Sequence, residues 1–404
     1  MAFGHLDADC FYVSAERVRN QFLQGKPVGV LGNQGAAVIA KSYEMKAAGV
    51  TTGMPIWDAV KLCPQGLYLK RDFRWYEVLS RQMLAVVREF SPRVEYYTID
   101  EFFFEAVPLR GLSFQATAEA LRDRILQTVR VPVTVGVART KTLAKLVSDT
   151  AKPFGALALL DRDAEWALLE NLSVTDICGI AGRRAARLAP YGIASCLDFA
   201  FADRLLIRSL LTRAGEALWY EVNGDPVLPL HVRRPPHKML SRGGSIGEST
   251  ADPNVLYAWV VRNLERLVEE LDYHGVFTGR LAVWVGYRNG QSGSGESPLM
   301  SPTDRFDILL EAARHGLRQA WRPHAHAHRV HLFASQLRWR GEVQLGLFET
   351  PDEQAKAIAA LKKEVNNRVG RFALRSGATV FLEEVYRDAA HDYDICDVHG
   401  KMCF

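Results

Sequence analysis

Apolar positions along the chain recur with two periods, and the change from one to the other marks out the elements. Residues 3–6 form a short apolar run with no helix signal, and residues 94–99 are rich in β-branched and aromatic side chains, so both are predicted strands. Residues 131–137 read the same way, whereas 76–90 and 114–129 have helical spacing. With a further strand pair flanking Asp100-Glu101, this alternation predicts an α+β layer in which helices cover one face of a mostly antiparallel sheet. An insertion spanning about residues 19–72 is small, and residues 171–224 look helical. Two prolines in Arg233-Arg234-Pro235-Pro236-His237-Lys238 keep that tract extended, as in a linker. Beyond it, Leu281, Val283, Val285 and Tyr287 lie at period two, and Val260, Leu264, Leu267, Val268 and Leu271 at helical spacing, which predicts a second α+β region. Asn289-Gly290-Gln291-Ser292-Gly293-Ser294-Gly295 is expected to be a flexible loop.

The chemistry sits where the strands stop. Residues 3–6 run into Asp7-Ala8-Asp9, and residues 94–99 run into Asp100-Glu101. Adjacent acids after an apolar strand repel one another unless they reach water or a cation holds them. All-oxygen donors select Mg²⁺ or Mn²⁺ over zinc, and two such ions serve phosphoryl transfer. Taken one at a time, strand-end acids are usually solvated turn residues.

Composition adds bounds. At 404 residues the chain has room for three or four domains, and 48% hydrophobic content is that of an ordinary globular protein. There is no apolar run of about 18 residues, and the first residues lack the basic start of a signal peptide, so a cytoplasmic protein is expected. The six cysteines form no CxxC pair, which favours reduced thiols, and Cys10 beside Asp9 reads as packing. His324, His326 and His328 alternate in a polar stretch after Pro323 and read as exposed residues, not as a chelate.

A net charge of +4 does not by itself indicate nucleic acid, but the cations are clustered. One group is Arg183, Arg184 and Arg187; a second is Arg233, Arg234, Lys238 and Arg242; a third is Lys362, Lys363, Arg368, Arg371 and Arg375. Such clusters hold phosphate backbones by releasing counterions. Cys178-Gly179-Ile180-Ala181-Gly182 before the first group resembles a helix-hairpin-helix, in which Gly179 and Gly182 would let backbone N–H groups approach a phosphate. Ala181 stands where that motif usually has its second glycine.

Several segments together carry a family resemblance. Asp7-Ala8-Asp9-Cys10-Phe11-Tyr12-Val13-Ser14-Ala15-Glu16 resembles the opening motif of the Y-family translesion DNA polymerases, and Tyr97-Thr98-Ile99-Asp100-Glu101 resembles their second metal motif. The segments from Ile39 through Tyr43 and Lys46 to Val50, from Thr134 to Ala138, and from Ala144 to Gly155 agree in order and spacing. Lys46, Ser245-Ile246-Gly247-Glu248 and a long C-terminal extension tilt the match toward the bacterial UmuC-like branch, the catalytic subunit type of DNA polymerase V.

The resemblance implies a right-hand polymerase of multidomain α+β fold. The palm would be ferredoxin-like (residues 1–18 and 73–165), with small fingers (19–72), a helical thumb (166–232), a linker (233–240), an α+β little finger (241–340) and an extension (341–404). It implies Asp7, Asp100, Glu101 and the Ala8 carbonyl as ligands of two Mg²⁺ ions, with Mn²⁺ able to substitute. Tyr12, beside Phe11, would be the steric gate against ribonucleotides, and Tyr43, Lys46 and Lys152 the triphosphate contacts. Gln344-Leu345-Gly346-Leu347-Phe348 looks like the bacterial sliding-clamp-binding peptide, with Gln344, Leu345, Leu347 and Phe348 as anchors. Packing on a helix that begins at the capping box Thr350-Pro351-Asp352-Glu353 is its other reading. The partners implied are primer–template DNA, a dNTP, the clamp and a regulatory subunit of the UmuD type. With no second carboxylate cluster for proofreading, and fingers too small to press on the nascent pair, low fidelity is expected. A catalytically silent DNA- and clamp-binding scaffold, or a nucleotidyl cyclase with a palm-like sheet, are the competing classes.

Overall fold

The computed structural model describes residues 2–32, 37–233, 236–343, 353–383 and 385. The chain divides after residue 235 into two compact units.

The first unit opens with β1 (Ala2–Ala8), which runs into α1 (Phe11–Arg19). A small inserted layer follows: β2 (Val28–Leu31), β3 (Val38–Lys41), α2 (Tyr43–Ala47), α3 (Ile56–Leu62) and β4 (Leu67–Lys70). Its sheet has the order β3-β2-β4, and its core is Leu31, Val38, Met45, Val50, Ala59 and Cys63. The chain then returns through α4 (Phe73–Phe90), β5 (Val94–Tyr96), β6 (Glu101–Ala106), α5 (Phe114–Val129), β7 (Val133–Ala138), α6 (Lys141–Ala151) and β8 (Ala156–Ala158). Asp72, Ser113 and Thr140 cap α4, α5 and α6 by accepting from the N–H three residues on, which satisfies a donor that the first turn leaves unpaired.

The main sheet has the order β5-β6-β1-β7-β8. Its period-two alternation determines which side chains face the chemistry. Ala2, Leu6 and Ala8 point into a core shared with α4 and α5, while Phe3 points into a second core with Leu143, Leu146 and Val147 of α6. Asp7 has the parity of Phe3 and so faces α6. That helix lies directly on the strand: a Cβ on Gly136 would sit 2.4 Å from the Ala144 carbonyl oxygen, so only glycine permits this approach. The strand expected over residues 94–99 is shorter than that. It ends at Tyr96, and the N–H groups of Tyr97 and Thr98 both donate to the Glu101 carbonyl, so Asp100 sits in a tight reversal and Glu101 opens the next strand.

The helical part comprises α7 (Arg162–Glu170), α8 (Gly182–Leu188), α9 (Cys196–Phe201) and α10 (Arg204–Val222). Ile177, Ile180, Leu188, Ile193 and Phe199 join the α6-side core. α10 is kinked at Thr212, whose backbone is non-helical at φ 65° and ψ −170°.

The second unit contains β9 (Met239–Thr250), α11 (Pro253–His274), β10 (Val276–Tyr287), β11 (Ser292–Thr303), α12 (Phe306–Ala320) and β12 (Ala327–Trp339), with α13 (Glu353–Val369) after them. The strands pair antiparallel in the order β11-β10-β12-β9. Leu281, Val283, Val285 and Tyr287 face the core built with α11 and α12, as their spacing predicts. The glycine-serine tract departs from expectation: only the reversal from Tyr287 to Gln291 is a turn, and Ser292–Gly295 begin β11. The glycines there answer to packing. A Cβ on Gly293 would fall 1.9 Å from the Ala320 carbonyl oxygen, and one on Gly295 2.2 Å from that of Gly316, because α12 presses on the strand.

The third cationic cluster also has a different use from the one expected. Lys362 pairs with Glu265 at 2.5 Å, Lys363 with Asp272 at 2.6 Å and Arg371 with Glu269 at 2.6 Å, so these charges fasten the extension to α11. No helix among the described residues is long and apolar enough to cross a membrane.

Candidate active site

Asp7 of β1 and Glu101 of β6 are directly opposed partners in an antiparallel pair. The adjacent Ala8 N–H donates to the Asp100 carbonyl at 2.9 Å, which ties the hairpin tip to the end of β1. Three acids from segments some ninety positions apart are thereby brought to one edge of the sheet by strand register alone.

Each acid has its own partner. Lys152 Nζ lies 2.7 Å from Asp7 Oδ2, Lys145 Nζ lies 2.9 Å from Glu101 Oε1, and Thr98 Oγ1 donates to Asp100 Oδ1 at 2.7 Å. Asp149 joins the two lysines, at 2.8 Å from Lys152 and 3.6 Å from Lys145. Burial pushes the Asp7 carboxyl up to about 7, with Glu101 adding to the rise and Lys152 opposing it. Burial alone would lower both lysines, yet the carboxylates beside them raise them, so both stay charged.

With their carboxylates held separately, no group of three His, Cys, Asp or Glu side chains among the described residues stands at metal-holding spacing, and His324, His326 and His328 form no such group. The donor set nevertheless fits a hard divalent cation. It consists of carboxylate oxygens from opposed strands, and two ammonium groups are drawn onto Asp7 and Glu101 where positive charge is demanded.

The expected nucleotide contacts divide into two kinds. Phe11 and Tyr12 are each 3% exposed, and the Tyr12 ring stacks on Tyr76 with centroids 4.6 Å apart and planes 17° from parallel. Tyr76 donates to Glu16 at 2.7 Å, so Tyr12 is part of a rigid wall. Tyr43 and Lys46 are exposed on α2, and Tyr43 hydrogen-bonds Asp9. Arg17 anchors α2 to α1 by a two-pronged bond to Glu44 at 3.0 Å. Asp9 is a structural acid. It is 2% exposed and accepts from Thr134 Oγ1 at 3.0 Å and from the Phe154 N–H at 2.7 Å, holding β7 and the link between α6 and β8 to the end of β1.

Two site residues escaped the reading of the sequence, Lys145 and Asp149. A signal was present: Lys145, Asp149 and Lys152 lie at i, i+4 and i+7, one face of a helix.

The expected DNA contacts differ in how each is presented. Gly179 has φ +102°, and Gly182 opens α8 with nothing within 4 Å of the place a Cβ would take. Arg184 donates to the Gly179 carbonyl at 2.7 Å and Arg187 to that of Leu210 at 3.4 Å, while Arg183 is exposed. Arg233 and Lys238 are exposed. Arg242 is not presented outward: it is 7% exposed and paired with Glu270, since its position in β9 turns it toward α11. Arg234 and the peptide Gln344, Leu345, Leu347 and Phe348 lie outside the described residues.

A five-stranded palm with opposed acids facing a lysine-bearing helix, a small inserted layer, a helical region and a separate α+β unit define a right-hand polymerase. Residues 6–149 match the impB/mucB/samB family and residues 237–347 match that family's C-terminal domain. The chain is 32% identical to DNA polymerase IV 2 of Mesorhizobium japonicum, covering 85% of this chain and 83% of that protein. It is 28% identical to protein UmuC of Salmonella typhimurium, over 90% and 89% of the two chains. Among solved structures, a Y-family DNA polymerase chimera of Dbh and Dpo4 superposes with a TM-score of 0.71 at 21% identity, covering 84% of this chain and 100% of that one. The chain belongs to the Y-family DNA polymerases and is a DNA-directed DNA polymerase. A similarity shared between DNA polymerase IV and UmuC does not single out the UmuC-like branch expected from the sequence.

Proposed function

We propose that this enzyme is a low-fidelity translesion polymerase of the DNA damage response, adding dNTPs to a primer 3′-hydroxyl on template DNA. The observation that carries the reading is the opposition of Asp7 and Glu101, each with its own lysine, at the edge where Asp100 is tethered. Asp7, Asp100, Glu101 and the Ala8 carbonyl would hold two Mg²⁺ ions, or Mn²⁺ in their place. Bound there, such ions activate the attacking hydroxyl and neutralise charge on the phosphates.

The chain's own residues have roles consistent with this reading. Lys152 can exchange Asp7 for a triphosphate oxygen, and Tyr43 and Lys46 stand on the inserted layer as further phosphate contacts. Tyr12, immobilised against Tyr76, is suited to exclude a ribose 2′-hydroxyl. Gly179, Gly182, Arg183, Arg184, Arg187, Arg233, Arg234 and Lys238 are assigned to the DNA backbone. A solved insertion ternary complex of Dbh DNA polymerase, a protein of like fold, supports DNA and nucleotide as partners.

The peptide at Gln344–Phe348 is assigned to a bacterial sliding clamp, which would raise the effective concentration of a weakly processive enzyme at its primer. The UmuC-like branch, and with it a UmuD-type subunit, rests on Lys46, Ser245–Glu248 and the extension. A cytoplasmic location follows from the substrate.

The test is primer extension on undamaged and abasic templates with Mg²⁺, with and without clamp, comparing wild type with Asp100→Ala. Extension that survives Asp100→Ala overturns the assigned site. Failure of wild type even with clamp points to a scaffold or to an enzyme that needs a partner subunit.

A further inference from the structure

Lys145 lies on α6 and Lys152 caps its C-terminal end, so where α6 lies along β1 decides whether either lysine meets its acid. A slide of one residue is about 1.5 Å along the helix axis, whereas a hydrogen bond keeps its strength over roughly 0.5 Å. Leu143, Leu146 and Val147 pack against Phe3, but apolar burial is non-directional and holds a helix down better than it holds it in register. The N-terminal turn is tied by polar contacts: Glu221 accepts from the Thr142 N–H at 3.1 Å, and Lys141 pairs with Glu95 at 2.6 Å.

For the half that carries the catalytic-edge lysines, a buried contact at Ser148 does the same. His5, on the same face of β1 as Phe3 and Asp7, is paired with Phe103 of β6 on one side and with Gly136 of β7 on the other. Its ring packs on Phe103 with centroids 4.6 Å apart. A Cβ on Gly136 would stand 2.4 Å from the Ser148 backbone nitrogen, so the glycine brings that turn of α6 within reach of the imidazole. His5 Nδ1 lies 2.7 Å from Ser148 Oγ, and His5 is completely buried.

The direction of the bond follows from its neighbour. Ser148 Oγ donates to the Lys145 carbonyl at 2.8 Å, so its one hydrogen is used and Oγ accepts from His5, which places a ring proton on Nδ1. Nε2 has no hydrogen-bond partner among the described residues. Leaving a buried polar atom unmatched costs stability, and an apolar pair of similar shape would avoid that cost. The pair is thus a poor device for stability and a good one for alignment. Ser148 stands three residues after Lys145 and four before Lys152, on the helix face they share.

We propose that His5 is a positioning residue, which acts through Ser148 to set the register of α6 on β1 and so brings Lys145 to Glu101 and Lys152 to Asp7. The proposal rests on the reading of Asp7, Asp100 and Glu101 as the catalytic acids.

The experiment is primer extension by the full chain for wild type, Asp100→Ala, His5→Leu, His5→Asn, His5→Gln and Ser148→Ala, with kcat, KM for dNTP, the Mg²⁺ concentration for half-maximal rate and the melting temperature measured for each. The amide nitrogen of Asn occupies the place of Nδ1 and can donate to Ser148, whereas that of Gln occupies the place of Nε2. His5→Leu and Ser148→Ala should lower kcat by about ten-fold and raise both KM and the Mg²⁺ midpoint by roughly three-fold, because both lysines ride on the one helix. His5→Asn should retain most of the activity and His5→Gln should behave as His5→Leu does. Loss of folded protein lowers kcat without moving KM or the Mg²⁺ midpoint, so unmoved values in His5→Leu and Ser148→Ala would reduce His5 to a packing residue. Equal activity of His5→Asn and His5→Gln would overturn the proposal as well, since the bond from the Nδ1 position would then not matter. If the His5 variants do not fold, Ser148→Ala, which places a strong helix former in the helix, decides the question by its KM and Mg²⁺ midpoint. Extension that survives in Asp100→Ala would overturn the assigned site and this proposal with it, whereas a dead Asp100→Ala beside unaltered His5→Leu and Ser148→Ala would overturn this proposal alone.

Discussion

Lys145 Nζ stands 2.9 Å from Glu101 Oε1, and seven residues further along the chain Lys152 holds Asp7 in the same way. One segment thus supplies a cation to each of the two opposed carboxylates. The arrangement makes Lys145 a positioning residue for Glu101 as well as a screen for its charge. Lys145→Gln should lower kcat in primer extension by about ten- to a hundred-fold and shift the Mg²⁺ concentration for half-maximal rate, while KM for dNTP changes little. An unaltered metal dependence would reduce Lys145 to a packing residue.

The raised Asp7 carboxyl has consequences for stability. Its pKa rises to about 7 through burial, against an unfolded value near 4, so between those two pH values the native chain binds the proton more tightly than the unfolded chain does. The stabilisation is complete below about pH 4 and is lost as pH rises toward 7. Melting curves in chelator should therefore show stability falling across that range in wild type. Asp7→Asn should flatten the fall, leaving the variant on the order of 1–3 kcal/mol more stable at neutral pH yet inactive. Parallel curves for the two proteins would refute this account.

Thr212 holds a backbone conformation at φ 65° and ψ −170° that is almost confined to glycine, and a β-branched side chain there is strained. Thr212→Gly should raise the unfolding free energy by roughly 1 kcal/mol, the relief outweighing the entropy that glycine adds to the unfolded chain. Urea titration of the two proteins decides it, and a less stable variant would mean that the hydroxyl makes a compensating bond.

Gly293 lies flush against the end of α12, where a Cβ would fall 1.9 Å from the Ala320 carbonyl oxygen. Gly293→Ala must push strand and helix apart, at a cost of about 3 kcal/mol. Since the clash lies within the second unit, hydrogen exchange should accelerate in β10, β11 and α12 and stay unchanged in the palm strands. Uniform behaviour across the chain would show that the two units do not unfold separately.

Much of this protein is local information and could be read directly. The apolar runs of β1 and β7, the period-two run of β10 and the helical spacing of α4, α5 and α11 are properties of short segments, so the α+β layers follow from the sequence. The acids stood out too, because paired carboxylates beside an apolar run are visible within a short segment, although Asp100 proves to lie in a reversal and Glu101 at the start of the next strand. What the sequence could not determine was which distant groups meet. Glu101 faces Asp7 because β6 and β1 pair in one particular register, and a slip of one residue would turn Asp7 away from α6. The burial that raises Asp7, the ion pairs that engage Arg242, Lys362 and Arg371, and the helix that turned a glycine-serine tract into β11 are likewise long-range. A cation looks the same in the sequence whether it meets phosphate or a buried glutamate, and a glycine looks the same whether it bends a loop or lies under a helix. Only the packing around them distinguishes the cases, because electrostatic and steric energies depend on what stands within a few ångströms, whatever the separation along the chain.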